Sequence, residues 1–278
     1  MSESISQEQL PFVSVIVPVY NDEKRIGNCI ESLLKQDYPP QKTEIIIVDN
    51  NSTDRTREII AEYDVTMVKE TETQGSYAAR NRGIQAAQGD IIAFTDSDAL
   101  PHPEWLSAGV RDMMNFGVDY IGCRVELFTE NKEPNLCDMF ELYTAFPMEK
   151  HLREFHFAST VGILVRKRVI EQIGDFDRRF ISGGDMEFGI RVWEKDFLQQ
   201  YSPDSIVYHP TRSTLHSIIK RAKRYGMGEA SLYILYPERF DHPLTTFFRG
   251  VFRTFFPNRG KIRPAKRISL TTSQKISI

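Results

Sequence analysis

Cysteine is scarce in this 278-residue chain, with three in all. Cys29, Cys123 and Cys137 show no paired close spacing. That excludes a disulfide framework and a sulfur-ligated zinc site and leaves buried thiols in a reducing compartment as the expected reading. No stretch approaches the ~20 apolar residues that a membrane-spanning helix needs. The N-terminus has no basic segment followed by an apolar run, so no signal peptide is expected. Internal repeats and low-complexity tracts are absent. The segment Pro18-Val19-Tyr20-Asn21-Asp22-Glu23, which closes the first apolar run, contains no glycine.

What is present suits one large α/β domain with additions, since 41% hydrophobic residues suffice for a sizeable core. The net charge of −3 conceals an asymmetry. Residues 212–278 hold 14 Lys+Arg and 3 Asp+Glu, leaving 21 and 35 for the rest of the chain. Such a basic end suggests a partner, and charge alone does not choose between a nucleic acid and an anionic membrane.

The first half alternates two periodicities. Apolar runs at Val13–Val19, Glu44–Asp49, Thr66–Lys69 and Ile91–Thr95 read as strands. Helical spacing runs through Lys24–Lys35, Arg55–Tyr63 and Tyr77–Ala87. This alternation predicts a mostly parallel sheet covered on both faces. Ligands in such sheets sit beyond the carboxyl ends of the strands, here Tyr20–Glu23, Asp49–Asp54 and Thr95–Asp98. In the second half, Asp119–Leu127 and Phe157–Val165 read as strands and Asp185–Lys195 as a helix. Met139–Phe157 is aromatic-rich without a clean period. Thr214–Tyr236 reads as a long basic helix broken near Gly226 and Gly228, followed by an amphipathic helix at Leu244–Phe256.

Asp96-Ser97-Asp98 follows a buried strand. Two carboxylates two positions apart can approach one hard cation, and oxygen ligands suit Mg²⁺ or Mn²⁺. A solvated turn is the plain alternative. The motif has company in Val13–Asn21, in Ile47–Asp54, in Ala79-Arg80-Asn81-Arg82-Gly83-Ile84 and in Gly183-Gly184-Asp185-Met186-Glu187. In the order and spacing of these motifs the sequence resembles the family 2 glycosyltransferases of the GT-A fold, over about residues 12–230. The resemblance implies a GT-A-type α/β fold with a mostly parallel central sheet and a C-terminal helical extension. It implies a tail at 1–11, a catalytic domain at 12–211 with nucleotide-binding (12–98) and acceptor-binding (99–211) halves, and a basic extension at 212–278.

The resemblance also implies roles. Pro18, Tyr20 and Glu23 would line the base and ribose of a nucleotide-sugar donor, and Asp49 would bond the base, typically uracil. Asp96 would contact the ribose or donor sugar, Asp98 would ligate Mn²⁺ or Mg²⁺, and Asp185 would take the proton from an acceptor hydroxyl. His209 corresponds to a third metal ligand in some relatives. Two positions depart from the family pattern: Asn50 stands where a second acid is common, and Gly184 where Glu is common.

Asp185 sits at the start of a predicted helix, whose dipole is expected to lower its pKa; capping that helix is the alternative role. Glu187 is expected to pair with Arg191 on a solvated face. Arg80 follows a helix start where a phosphate or base could approach, with a surface salt bridge as its alternative. Trp105 and Trp193 are read as core residues rather than sugar platforms.

The expected reaction is inverting transfer from a nucleoside-diphosphate sugar, UDP-linked on the resemblance, to a carbohydrate or lipid-linked acceptor in polysaccharide or glycolipid biosynthesis. A sugar-1-phosphate nucleotidyltransferase would need a Gly-rich phosphate loop after the first strand. A non-catalytic binding module would not need a positioned base. No nucleic-acid motif accompanies the basic end. The expected location is the cytoplasm. The apolar face of 244–256 and its cationic flanks leave open attachment to the inner face of a membrane, or packing on protein.

Overall fold

The computed structural model describes residues 9–241. Contacts divide the chain after Leu232, and the elements up to that point build one α/β unit. In chain order they are β1 (Val13–Val19), α1 (Ile26–Leu34), β2 (Thr43–Asp49), α2 (Thr56–Ile60), β3 (Thr66–Lys69), α3 (Ser76–Ala86), β4 (Ile91–Phe94), β5 (Leu100–Pro101) and α4 (Trp105–Asn115). The second half adds β6 (Tyr120–Phe128), α5 (Leu136–Thr144), α6 (Met148–Phe155), β7 (Ile163–Arg166), α7 (Lys167–Ile173), α8 (Gly184–Glu194), β8 (Gln199–Pro210) and α9 (Leu215–Leu235), which runs past Leu232.

Eight strands form one sheet in the order β3-β2-β1-β4-β7-β6-β8-β5. The first four are parallel. Every residue of β1 is buried, as a central strand covered on both faces requires. On α1 the residues Ile26, Cys29, Ile30 and Leu33 form the buried stripe. Beyond β4 the direction changes: β7 is antiparallel to β4 and β6, and β8 runs parallel to β6. The sheet is therefore mixed, with four parallel and three antiparallel pairings, and its first half follows the βαβ rule that the alternating pattern announced.

Several second-half elements differ from expectation. The strand expected at Phe157–Val165 begins only at Ile163, because residues 159–162 form a turn in which the Gly162 N–H donates to the Ser159 carbonyl at 3.2 Å. Before it the Ala158 N–H donates to Tyr120 Oη at 3.1 Å, while that hydroxyl donates back to the Ala158 carbonyl at 3.2 Å. The aromatic stretch without a period is two helices, α5 and α6. Asn135 caps α5 by accepting from the N–H groups of Cys137 and Asp138.

The long strand β8 escaped detection because Pro203 and Asp204 interrupt it. They sit in an irregularity where the register with β6 jumps, Cys123 facing Ser202 and Arg124 facing Ile206. α9 is continuous, not broken at its glycines. Gly228 serves close approach instead, since a Cβ there would lie 2.8 Å from the Ser182 carbonyl oxygen.

All three cysteines are free. Cys123 lies in the core, where burial pushes its thiol up to about 12. No helix among the described residues is long and apolar enough to cross a membrane. The helix expected at 244–256 lies outside the described residues.

Candidate active site

The carboxyl ends of β1 and β4 open onto a cleft of about 510 Å³. Pro18, Tyr20, Arg80, Asp96, Asp98, Asp185 and His209 all line it. Asp49 and Glu23 are not among the lining residues. Asp49 ends β2, is buried, and accepts from the Ser52 N–H at 3.2 Å. Glu23 accepts from the Arg55 N–H at 3.0 Å and so holds the start of α2.

Asp96-Ser97-Asp98 forms a turn closed by the Ala99 N–H, which donates to the Asp96 carbonyl at 3.1 Å. The turn is engaged rather than simply solvated. Ser97 donates to Asp22 Oδ2 at 2.6 Å. Arg25 pairs with Asp22 at 2.7 Å and with Asp98 at 3.2 Å. Immediately after the turn, the two-residue strand β5 pairs antiparallel with β8, Leu100 opposite Tyr208. This clip carries the next residue of β8, His209, to Asp98: Nε2 lies 3.4 Å from Asp98 Oδ1.

Ligand atoms of Asp96, Asp98 and His209 all lie within 4.8 Å of one another. The imidazole is buried, its Nδ1 is 2.8 Å from the Pro210 carbonyl oxygen, and Phe146 packs against its ring. A carbonyl can only accept, so Nδ1 carries the proton. In the neutral ring the Nε2 lone pair then faces a carboxylate oxygen, two acceptors with no proton between them. A divalent cation between them satisfies both, and a carbonyl fixing the remote ring nitrogen is the usual support of a metal-ligating histidine. The donor set therefore fits a divalent metal.

Arg80 is buried and donates to Asp96 Oδ1 at 2.6 Å, so its salt bridge lies at the wall of the cleft rather than on the outer surface. Its guanidinium also lies 5.6 Å from the centroid of the Tyr77 ring. The Tyr77 hydroxyl is 3.3 Å both from Asp185 Oδ1 and from the Asp185 N–H.

Asp185 occupies the first turn of α8 but does not cap it; Oδ1 accepts from the neighbouring Met186 N–H at 3.0 Å. Its pKa is raised, against the expectation from the helix dipole. Burial penalises the charged carboxylate and outweighs the Arg80 charge and the hydrogen bonds that favour it. A raised pKa makes this carboxylate a stronger proton acceptor than the dipole alone would allow.

Both departures from the family pattern have local causes. Asn50 is buried; its amide donates to the carbonyls of Glu70 and Thr73 at 3.0 and 2.9 Å, and its oxygen accepts from the Gly75 N–H at 2.7 Å. A carboxylate has no protons for those carbonyls. At Gly184 a Cβ would lie 2.9 Å from the Tyr77 ring, which covers the start of α8. Glu187 does pair with Arg191, at 2.7 Å, but the pair is buried, not solvated. Arg191 also donates to the carbonyls of Ile173, Gly174 and Asp175, which ties α8 to the end of α7.

Trp105 is fully buried, and Trp193 stacks on His156 with ring centroids 4.1 Å apart. Sequence reasoning missed Arg25, Arg212 and Arg224, which bring the arginines lining the cleft to four with Arg80. For Arg212 and Arg224 the basic character of 212–278 was the available signal, and it pointed outward to a partner rather than into the site; Arg25 had none.

The description "Glycosyl transferase family 2" matches residues 14–174. Glycosyltransferase AglE of Haloferax volcanii is 37% identical over 231 residues, covering 81% of this chain and 75% of that protein. A dolichyl N-acetyl-α-D-glucosaminyl phosphate 3-β-D-2,3-diacetamido-2,3-dideoxy-β-D-glucuronosyltransferase of Methanococcus voltae is 28% identical, covering 78% and 73%. Among solved structures, the mannosyltransferase PcManGT of Pyrobaculum calidifontis, in complex with GDP-Man and Mn²⁺, superposes with a TM-score of 0.65 at 22% identity over 92% of this chain and 73% of that one. TarS 1–349 of S. aureus with UDP-GlcNAc gives 0.60 at 23% identity over 87% and 74%. The mixed sheet with its site at the strand ends, the match over more than half of the sequence and these relatives lead to one conclusion: the chain belongs to glycosyl transferase family 2 and is a glycosyltransferase of the GT-A fold.

Proposed function

We propose that the cleft binds a nucleoside-diphosphate sugar, UDP-linked by the family resemblance, and transfers its sugar to an acceptor hydroxyl with inversion. The observation that carries this reading is that one cleft is lined both by the Asp96–Asp98–His209 cluster and by Asp185. A binding module needs no proton acceptor with a raised pKa, and a nucleotidyltransferase needs a phosphate loop that this chain lacks. Asp98 and His209 would hold a divalent cation, with Asp96 beside it. The imidazole nitrogen favours Mn²⁺ over Mg²⁺, which prefers oxygen. When bound, the cation neutralises charge on the departing diphosphate.

The remaining work falls to the protein. Tyr20, half exposed, and Pro18 offer a surface for the base and ribose at the end of β1, with Asp49 at the end of β2 and Glu23 on the loop after β1. Arg80 orients Asp96 toward the donor. Asp185, with the Tyr77 hydroxyl against it, accepts the proton of the acceptor hydroxyl as its oxygen attacks the anomeric carbon. Arg25, Arg212 and Arg224 supply positive charge where the diphosphate would lie. A glycan built on a carbohydrate or a lipid-linked sugar is the acceptor class this reading expects.

The test is a panel of UDP-, GDP-, ADP- and CDP-sugars with Mn²⁺, with Mg²⁺ and with chelator. The release of nucleoside diphosphate is followed, and the anomeric configuration of the product is read by NMR. Metal-dependent turnover of one UDP-sugar with inverted configuration is expected. Turnover in excess chelator, or a retained configuration, defeats the reading.

A further inference from the structure

Helix α5 is assembled inside out. Asp138 and Glu141 are its fully buried residues, whereas Leu136 is 84% and Tyr143 87% exposed, with Met139 and Phe140 exposed between them. Positions 136, 139, 140 and 143 make one stripe along the helix, apolar and facing outward. The orientation is fixed from within. Asp138 accepts from the hydroxyls of Thr211 and Ser213 at 2.6 Å each and from the Asn131 amide at 2.8 Å. Glu141 pairs with Arg212 at 3.0 Å and with Arg221 of α9. Rolling α5 to bury its apolar stripe would strip two carboxylates of these partners, which is costly in an interior.

The helix tied to it, α9, exposes Leu215 and Ile219 beside Lys220 and Lys223. Residues 215–228 contain four Lys+Arg and no acid, and residues 242–278 eight and none.

From this arrangement we infer that the outer face of α5, with the first half of α9, is a membrane-docking surface that rests in the headgroup–acyl boundary of an anionic bilayer. Apolar and aromatic side chains suit that boundary, and Lys220 and Lys223 on α9 complement its charge. A contiguous exposed apolar patch of this kind marks an interaction site on a soluble surface. The segment after α5 leads through Phe146, which packs on His209, to His151 of α6 in the cleft. Docking by α5 therefore holds the cleft mouth near the bilayer. Only the consequence that a lipid-borne acceptor could enter there rests on the proposed function; the surface itself does not.

The experiment uses the full chain carrying Phe140→Trp, and separately Tyr143→Trp, at exposed positions. Vesicles of phosphatidylcholine with or without phosphatidylglycerol carry brominated acyl chains, and tryptophan fluorescence is compared with the wild type, whose Trp105 and Trp193 give the background. Loss of the introduced fluorescence on phosphatidylglycerol vesicles, weakening with added salt and absent on phosphatidylcholine alone, is the expected result. Vesicle binding without quenching of either introduced indole means that another segment carries attachment and overturns the proposal. So does a failure to bind vesicles, whether or not sedimentation reveals a dimer that Tyr143→Ser dissociates, which would make the face a protein interface. Circular dichroism melts of both variants confirm that the fold is retained.

Discussion

Arg80, buried in α3, donates to Asp96 Oδ1 at 2.6 Å. The same guanidinium lies over the Tyr77 ring, and its charge is the leading influence that opposes the upward push of burial on Asp185. One side chain thus connects the acidic turn after β4 with the carboxylate at the start of α8. Replacing it by the neutral Arg80→Gln removes the charge that lowers the Asp185 pKa. The acidic limb of the pH–rate profile should then move to higher pH. Stability should fall by about 1–3 kcal/mol, since Asp96 is one-third exposed and water can replace part of the bond. An unmoved limb would show that Arg80 does not influence Asp185.

Asp98→Asn should leave the melting temperature near that of the wild type in chelator, His209→Ala should lower it because it empties a buried site against Phe146, and both should lower apparent Mn²⁺ affinity. Removing a carboxylate or imidazole from a three-residue set weakens a divalent site by at least the ~10–100-fold typical of losing a supporting residue. Titration of activity with Mn²⁺ measures it. Unchanged metal dependence in Asp98→Asn would place the cation elsewhere.

Asp185→Asn is nearly isosteric. Turnover should drop by roughly 10²-fold or more, with donor affinity retained. The raised pKa gives a second readout. A carboxyl whose folded pKa lies above its unfolded value of about 3.9 disfavours folding once ionised, so its cost appears above the folded pKa and vanishes below the unfolded one. Asp185→Asn should therefore raise the melting temperature at neutral pH and leave it unchanged in strong acid. Lower stability at neutral pH would mean that the Tyr77 and Met186 hydrogen bonds outweigh burial.

Asn50→Asp restores the acid common at this position in the family, yet it should destabilise the chain by about 2–3 kcal/mol in chemical denaturation. Two carbonyls lose their donor, and a buried carboxylate is left facing them. A variant as stable as wild type would mean that the loop between β3 and α3 rearranges freely.

Gly184→Ala puts a methyl group 2.9 Å from the Tyr77 ring. Tyr77 must shift, and with it the hydroxyl against Asp185. A several-fold drop in kcat with little change in donor KM is expected from steady-state kinetics. Equal losses in both would point to a general disturbance of the cleft instead.

The first half of the fold and most of the site residues were legible in the chain of amino acids alone. β1, β2 and β4 were legible as apolar runs of strands covered by the core, and the largely exposed β3 by its place in the strand–helix alternation; their order announced which strand ends would carry ligands. Asp96 and Asp98 stood out as acids in a short motif at such an end, and Asp185 as an acid behind a glycine pair at a helix start. The rest depends on contacts between residues far apart in the chain. The reversal of direction at β7 is a matter of long-range pairing, which leaves no period in the chain. His209 reaches Asp98 through the pairing of a two-residue strand with β8, whose own sequence is masked by Pro203 and Asp204. The pKa of Asp185 is raised because desolvation depends on what packs around a carboxylate, whereas the helix dipole visible from the sequence acts the other way. The outward apolar face of α5 exists because Thr211, Ser213, Arg212 and Arg221, some seventy or eighty residues later in the chain, hold Asp138 and Glu141 inside; local periodicity marks which residues share a helix face, and only distant partners decide which face turns inward.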